Sequence, residues 1–167
     1  MAKYEMMIAI LAKLKIIEIF FNSRFVTQDS AFFSIDNNID NVQDAIRRGA
    51  MLIVSDRIFD IDGINICIVE DVRSALSVAA DYLYQNKPNY LVGVTGTSGK
   101  SSVVDYVRQI FDLLQYKSAT IGTLGVVCKH LESNIDSVDL TTPDVILMHK
   151  TLNSLKQSGI DYVAFEA

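Results

Sequence analysis

The sequence predicts an α/β protein in which a small mixed α/β N-terminal domain precedes an incomplete parallel-sheet domain with a phosphate-binding loop. From residue 90 onward, short apolar segments alternate with segments of helical periodicity, the order expected for parallel strands joined by covering helices. A glycine-rich turn follows the first of these apolar segments and leads directly into a helical pattern. The polar segment 86–89, which contains a proline, separates this part from earlier strand-like runs. We therefore predict domains at 1–88 and 89–167.

The N-terminal domain is predicted to alternate helices with short strands. Apolar residues at helical spacing predict a helix near the start, and a second helical pattern is closed by Gly49. Glu70 and Asp71 suit the first turn of a third helix because acidic side chains favour the positive end of the helix dipole. The predicted helices cover residues 4–14, 42–48 and 70–85, and the predicted extended segments cover residues 16–21, 31–35, 51–55 and 66–69.

The second domain is predicted to carry three apolar strands with helices between them. The strands are expected at residues 90–94, 118–121 and 162–165, and residues 126–130 are a candidate for a further strand. The last helix is expected to have Thr142 as its N-cap, Pro143 at its first position and Asp144 in its first turn. The chain stops directly after a buried strand, where an α/β domain usually continues, so we expect it to be a fragment of a longer protein.

Composition favours a cytoplasmic protein whose main partner is not nucleic acid. Half of the 167 residues are hydrophobic, but the longest apolar stretch contains Lys13, Lys15 and Glu18, so it does not predict a membrane span. The start of the chain lacks the pattern of a signal peptide. A net charge of −5 and the lack of a long basic run argue against nucleic-acid binding.

The cysteines and histidines show no spacing typical of metal ligands. Cys67 and Cys128 lie in apolar runs, which predicts buried free thiols. His130 and His149 have no Cys or His partner at ligand spacing and are expected at the surface.

The segment 92–102 has the layout of a phosphate-binding loop. The apolar run ending at Val94 leads into a turn with Gly96 and Gly99, and Lys100 and Ser101 follow at the start of a helical pattern. Glycines let backbone N–H groups approach phosphate oxygens, and the helix points its positive end at them. The lysine can reach the outer phosphates, and the serine hydroxyl can ligate magnesium. The alternative is a glycine turn that binds nothing.

Two further polar groups are predicted to lie at the same edge of the sheet as this loop. In open α/β sheets, ligands bind beyond the carboxyl ends of the strands. Thr123 follows the second predicted strand and Glu166 ends the third. A carboxylate at this edge can join Ser101 around magnesium, which prefers oxygen ligands. The alternative for Glu166 is a solvated acid at the end of a strand.

Several segments resemble the Mur ligase family, in the branch that adds the third peptide residue to UDP-MurNAc-L-Ala-D-Glu. Val94 departs from the standard G-x-x-x-x-G-K-[ST] loop, but Thr95-Gly-Thr-Ser-Gly-Lys-Ser101 is similar to the ATP loop of this family. Ser98 stands where asparagine is common in the family, and Asn22 replaces the aspartate of its D-S-R motif. The other matching segments are, in order, Ser23-Arg24, Asp71-Val-Arg73 followed by Ala75-Leu76, Ile121-Gly-Thr-Leu-Gly125, Thr141-Thr-Pro-Asp144 and Val163-Ala-Phe-Glu166.

The resemblance implies a role for each matched site residue. Ser23 and Arg24 would lie at the UDP end of the substrate, and Thr141 and Thr142 would hydrogen-bond its UDP-MurNAc part, with helix capping as the alternative for the two threonines. Glu166, together with Ser101, would hold Mg2+. Lys100 would be the catalytic residue, and the phosphates of the cosubstrate ATP would be held by Gly96, Thr97, Ser98, Gly99, Lys100 and Ser101.

The implied reaction is ATP-driven amide formation through an acyl phosphate, in a full-length enzyme that acts as a monomer. The added residue would be meso-diaminopimelate or lysine, and the isolated 167-residue chain is expected to be inactive because further family motifs are absent from it. Two alternatives stay open. One is another ligase with the same ATP loop, such as the dipeptide-adding or folylpolyglutamate type. The other is a truncated gene product without catalytic activity.

Overall fold

The computed structural model describes residues 4–130 and 144–167, which divide into two compact units between Leu83 and Tyr84. The predicted α/β class is confirmed, since both units contain a mostly parallel sheet. The functional domain boundary predicted after Pro88 stays a prediction. Within the described residues, no helix is long and apolar enough to cross a lipid bilayer.

The first unit, in residues 4–83, is a four-stranded parallel sheet with three α-helices, of which the second joins two neighbouring strands. The sheet has the order β1-β2-β3-β4, and each neighbouring pair is parallel. Its buried cluster includes Val26, Phe32, Val42 and Ile53. The elements are α1 (Glu5–Lys13), β1 (Glu18–Phe20), a short 3-10 turn (Ser23–Phe25), β2 (Ser30–Phe33), α2 (Ile39–Arg48), β3 (Ala50–Ser55), β4 (Asn65–Ile68) and α3 (Val72–Leu83).

Helix α2 shows how local sequence sets the ends of an element. The Asn38 side chain accepts a hydrogen bond of 2.9 Å from the backbone N–H of Asp40, so the helix begins at Ile39, earlier than predicted. Gly49 ends it in the left-handed region at φ 106°, as predicted. A Cβ atom at Gly49 would lie 2.9 Å from Cγ of Gln28, so space as well as backbone angle requires glycine.

The second unit is a four-stranded sheet in which one edge strand is antiparallel. Its order is β5-β8-β6-β7; β8 pairs in parallel with β5 and β6, and β7 pairs antiparallel with β6. The candidate strand at 126–130 is therefore shorter than expected and turns back on β6 as a hairpin. The elements are β5 (Tyr90–Val94), α4 (Lys100–Leu113), β6 (Ser118–Gly122), β7 (Gly125–Val127), α5 (Val145–Gln157) and β8 (Tyr162–Glu166).

The predicted start of the last helix is wrong. Asp144 is the N-cap of α5, because its carboxylate accepts a hydrogen bond of 2.9 Å from the backbone N–H of Leu147. The helix α5 therefore begins at Val145, and Asp144 occupies the N-cap position that was predicted for Thr142. Residues 141–143 lie outside the described part of the chain.

The cysteine prediction holds in part and the histidine prediction fails for one residue. Neither cysteine forms a disulfide within the described residues; Cys67 is buried and Cys128 is half-buried. His130 is exposed, as expected. His149 is not a surface residue: it is half-buried, and its Nδ1 atom is buried without a hydrogen-bond partner.

Candidate functional site

The phosphate-type loop connects β5 to α4 and ends in a helix N-terminus without a capping side chain. Gly99 is the N-cap of α4 at φ 78°, a left-handed conformation that favours glycine. Gly99 has no side chain that could accept hydrogen bonds from the first turn of the helix. The loop therefore presents backbone N–H groups and the positive end of a 14-residue helix at the carboxyl edge of the sheet.

Lys100 lies across this loop. Its Nζ atom donates a hydrogen bond of 2.7 Å to the backbone carbonyl oxygen of Gly96. The ammonium group is thus held beside the loop that precedes the helix, where a bound phosphate chain would place its negative charge. The structure supports the predicted position of Lys100 at the loop, whereas its role in catalysis stays a prediction.

Glu166, at the end of β8, is held between the turn after β6 and the start of α4. The Thr123 backbone N–H donates to Oε1 at 3.1 Å, and the Thr123 hydroxyl lies 3.2 Å from Oε2. Partial burial would raise the pKa of Glu166. Hydrogen bonds from Thr123 and from the Ser101 hydroxyl, together with the charge of Lys100, outweigh burial and hold this pKa below its usual value.

Gly122 makes room for this carboxylate. A Cβ atom at Gly122 would lie 2.2 Å from Oε1 of Glu166, so any other residue would force the acid to move. Sequence reasoning placed Thr123 and Glu166 at the same edge of the sheet, but it missed Gly122 and the contact itself. The only signal was the pair of glycines in Ile121-Gly-Thr-Leu-Gly125.

Ser101 and Glu166 line one small cavity next to the loop. Its walls come from the first turns of α4, from the β6–β7 hairpin and from the end of β8. A hydroxyl and a carboxylate facing the same space are the oxygen donors that Mg2+ prefers. The lining residues are Ser101, Val104, Asp105, Thr120, Gly122, Leu124, Gly125, Val127 and Glu166.

The predicted UDP contacts Ser23 and Arg24 lie in the 3-10 turn of the first unit. Ser23 is only 5% exposed, and its hydroxyl hydrogen-bonds Asp44. Hydrogen bonds from Arg48 and Ser23 hold the pKa of Asp44 below its usual value. Arg24 is exposed, and its backbone N–H donates to the Asn22 side chain at 3.1 Å. In this turn Arg24 therefore faces solvent, whereas Ser23 is buried and interacts with Asp44.

Thr141 and Thr142 lie outside the described residues. Among residues 4–130 and 144–167, no three His, Cys, Asp or Glu side chains come together as metal ligands. A metal role therefore rests on Ser101 and Glu166.

A parallel sheet whose glycine loop, lysine and strand-end carboxylate meet at one edge has the architecture of a phosphate-loop α/β domain. Residues 94–167 match the family model of the Mur ligase middle domain. The chain is 40% identical over 147 residues to UDP-N-acetylmuramoyl-L-alanyl-D-glutamate--2,6-diaminopimelate ligase of Rickettsia bellii, covering 87% of this chain and 31% of that protein. The same-named protein of Agrobacterium fabrum is 40% identical over 126 residues, covering 75% of this chain and 25% of that protein. The chain thus spans about a third or less of the length of these curated relatives.

Solved structures of the same class share the fold. A structure of UDP-N-acetylmuramoyl-L-alanyl-D-glutamate--2,6-diaminopimelate ligase matches with a TM-score of 0.75 at 22% identity, over 90% of this chain and 31% of that chain. The MurF ligase of Thermotoga maritima in complex with ADP matches with a TM-score of 0.57 at 24% identity, over 92% of this chain and 32% of that one.

Proposed function

We propose that this chain forms the UDP-substrate and ATP-phosphate part of a peptidoglycan precursor ligase that joins diaminopimelate to UDP-MurNAc-L-Ala-D-Glu. The relatives at 40% identity carry the name of that activity. The observation that supports the ATP role most directly is the meeting of Ser101, Thr123 and Glu166 beside the Lys100 loop. The proposal places the protein in the cytoplasm and assigns the first unit to the UDP-sugar.

ATP phosphates would bind along the loop that joins β5 to α4. Backbone N–H groups of the glycine turn and of the first turn of α4 would donate to the phosphates, and Lys100 would supply positive charge. Lys100 would exchange its hydrogen bond with the Gly96 carbonyl for the outer phosphates. The residues in this role are Gly96, Thr97, Ser98, Gly99, Lys100 and Ser101.

Ser101 and Glu166 fit a magnesium ion that accompanies ATP. Their oxygens already share one hydrogen-bonded cluster, and Glu166 stays ionised because its neighbours lower its pKa. Bound magnesium would neutralise phosphate charge. Its remaining ligands would be phosphate oxygens and waters, since Mg2+ usually takes few carboxylates.

The UDP end of the substrate would meet the 3-10 turn of the first unit. Arg24 is exposed and can pair with a diphosphate, whereas Ser23 supports the turn through Asp44. Thr141 and Thr142 would hydrogen-bond the UDP-MurNAc part. These assignments follow from the residue types and the resemblance.

The proposed reaction needs positioning and charge neutralisation more than covalent chemistry by the protein. The D-Glu side-chain carboxylate attacks the γ-phosphorus of ATP, ADP leaves, and an acyl phosphate results. The amine of diaminopimelate then attacks the acyl carbon and expels inorganic phosphate, forming the amide. Lys100 would hold the transferred phosphoryl group in line and neutralise charge that develops on it.

Isothermal titration tests the two binding roles separately. We expect Mg-ATP and UDP-MurNAc-L-Ala-D-Glu each to bind the wild-type chain, with Lys100→Met weakening only the nucleotide and Arg24→Ala only the UDP-sugar. Binding of Mg-ATP without the UDP-sugar would favour a different ligase with the same loop. If neither ligand binds, the chain is a non-catalytic product.

A further inference from the structure

We propose that Thr123 is a positioning residue that fixes the Glu166 carboxylate for magnesium, an inference that rests on the proposed ATP function. Thr123 would not touch the metal. It would act by restricting the rotation of Glu166, so that the acid presents a defined oxygen arrangement toward Ser101.

The contact between the two residues involves both carboxylate oxygens. The Thr123 backbone N–H lies 3.1 Å from Oε1, and its hydroxyl oxygen lies 3.2 Å from Oε2. One residue thereby engages both oxygens, which removes rotation about the last side-chain bond of Glu166. Each oxygen keeps a second lone-pair direction for another partner. The Ser101 hydroxyl is one such partner.

The hairpin explains why Thr123 is rigid enough for this task. Gly122 and Gly125 pair across the β6–β7 ladder, so Thr123 and Leu124 form a two-residue turn between antiparallel strands. Gly125 leaves the turn at φ 75°, a left-handed conformation. The antiparallel pairing of β7 with β6 therefore holds the turn that contains Thr123 between two paired residues.

Gly122 makes the contact between Thr123 and Glu166 possible, because it leaves space for the Glu166 carboxylate. We call this contact the Thr123–Glu166 clamp. Its missing side chain lets Oε1 occupy a position 2.2 Å from where a Cβ would lie. A turn threonine that only stabilised the hairpin would need neither this space nor a carboxylate 43 residues further along the chain. The space at Gly122, together with the backbone N–H and the hydroxyl of Thr123, indicates that this turn positions the Glu166 carboxylate.

Nucleotide affinity with and without magnesium separates this role from hairpin stability. ATP binding would be measured by titration in excess Mg2+ and in EDTA, for the wild type, Thr123→Val and Thr123→Ser, with the fold checked by circular dichroism. Valine keeps the branched shape and the backbone N–H but removes the hydroxyl. We expect Thr123→Val to lower the magnesium-dependent gain in ATP affinity about tenfold, as expected for a lost hydrogen bond to a charged group. Affinity in EDTA should stay unchanged, and serine should restore the gain.

Gly122→Ala is the second variant, because it displaces the carboxylate without changing any donor. It should lose the same magnesium-dependent gain. The positioning role would be overturned if Thr123→Val kept the full increase in ATP affinity that Mg2+ gives the wild type. It would also be overturned if the variant lost ATP affinity equally in Mg2+ and in EDTA. Either result would leave the proposed ATP site intact. A wild-type chain that binds no Mg-ATP would overturn the proposed function and this inference together.

Discussion

The two ends of the sheet in the second unit carry different kinds of residue, although the same strands form both. At the amino end, β5 and β8 pair Tyr90 with Tyr162; at the carboxyl end they pair Val94 with Glu166. Rings and ion pairs occupy the first end, and glycines, a lysine and hydroxyls occupy the second. Side-chain contacts fill the amino end, whereas the carboxyl end leaves a cavity beside a helix N-terminus that has no capping side chain.

The amino end is an aromatic stack, and a charged cluster on α4 extends from there toward Asp105, which lines the cavity at the other end. Tyr162 stacks on Tyr90 and Tyr116, with ring centroids 4.6 and 4.3 Å apart, and Phe111 tilts against it at 5.0 Å. Such pairs contribute roughly 0.5–1.5 kcal/mol each beyond the area they bury. This end therefore stabilises the unit without offering a ligand cradle.

The charged cluster pairs a buried arginine with two aspartates of its own helix. Arg108 is 6% exposed and reaches Asp112 at 2.7 Å and Asp105 at 2.6 Å. The Ser118 hydroxyl also donates to Asp112 at 2.6 Å, which ties α4 to the start of β6. Removing Arg108 would leave Asp112, whose side chain is 12% exposed, with the exposed Lys129 at 3.4 Å and the Ser118 hydroxyl as remaining partners, a much poorer compensation for its charge.

The largest expected effect on stability comes from Arg108→Met. We expect a loss of about 3 kcal/mol in the free energy of unfolding, because Asp112 would keep its charge with a side chain only 12% exposed. Urea unfolding followed by circular dichroism measures it. Arg48→Met is the matched control, since Arg48 pairs with Asp44 at the same helical spacing but is 45% exposed, and should cost about 0.5 kcal/mol. Equal losses of unfolding free energy in Arg108→Met and Arg48→Met would contradict a larger contribution from the buried arginine.

A smaller effect is expected for Tyr162→Leu, which keeps apolar bulk but removes the ring at the centre of the stack. Three ring contacts would be lost, so we expect about 2 kcal/mol of destabilisation in the same unfolding experiment. Tyr106→Leu, at a tyrosine of α4 that is 62% exposed, serves as the control and should change stability little. A loss at Tyr106 as large as at Tyr162 would contradict a stabilising role for the stack.

The smallest expected effect is a pH dependence of stability that arises from His149 on α5, rather than from residues at either end of the sheet. Burial, and then the charge of Lys87, hold the pKa of His149 below its usual value. The unfolded chain therefore takes up a proton before the folded one, and stability should fall as pH drops through the usual histidine range. His149→Gln should flatten this slope between pH 7 and 5. An unchanged slope would show that another group controls it.

Sequence reasoning recovered the elements of this unit better than its contacts. The loop, β6 and the strand ending at Glu166 follow from local patterns, because glycine turns and apolar runs determine them directly. The Thr123–Glu166 clamp and the tyrosine stack depend on which strands become neighbours and in what register. Those pairings join residues far apart in sequence and are not encoded in any short window.

Errors at element ends have a similar origin. Thr142 and Pro143 form a good helix start in the sequence, but the Asp144 carboxylate accepts a hydrogen bond from the backbone N–H of Leu147, so α5 begins at Val145. The strand at 126–130 was recognised by its apolar run, whereas its direction depends on a two-residue turn between Gly122 and Gly125. Short-range patterns predict the presence of an element more reliably than its partner or its first residue.

We propose that Mg-ATP binds at the carboxyl end of this sheet and not at its amino end. The most direct test measures both Mg-ATP affinity and thermal stability for Lys100→Met and Tyr162→Leu. We predict that Lys100→Met loses at least tenfold in affinity at unchanged melting temperature, since it removes a charge that faces the phosphates. Tyr162→Leu should melt earlier and, below its melting temperature, bind Mg-ATP as the wild type does. Wild-type affinity in Lys100→Met would contradict the account.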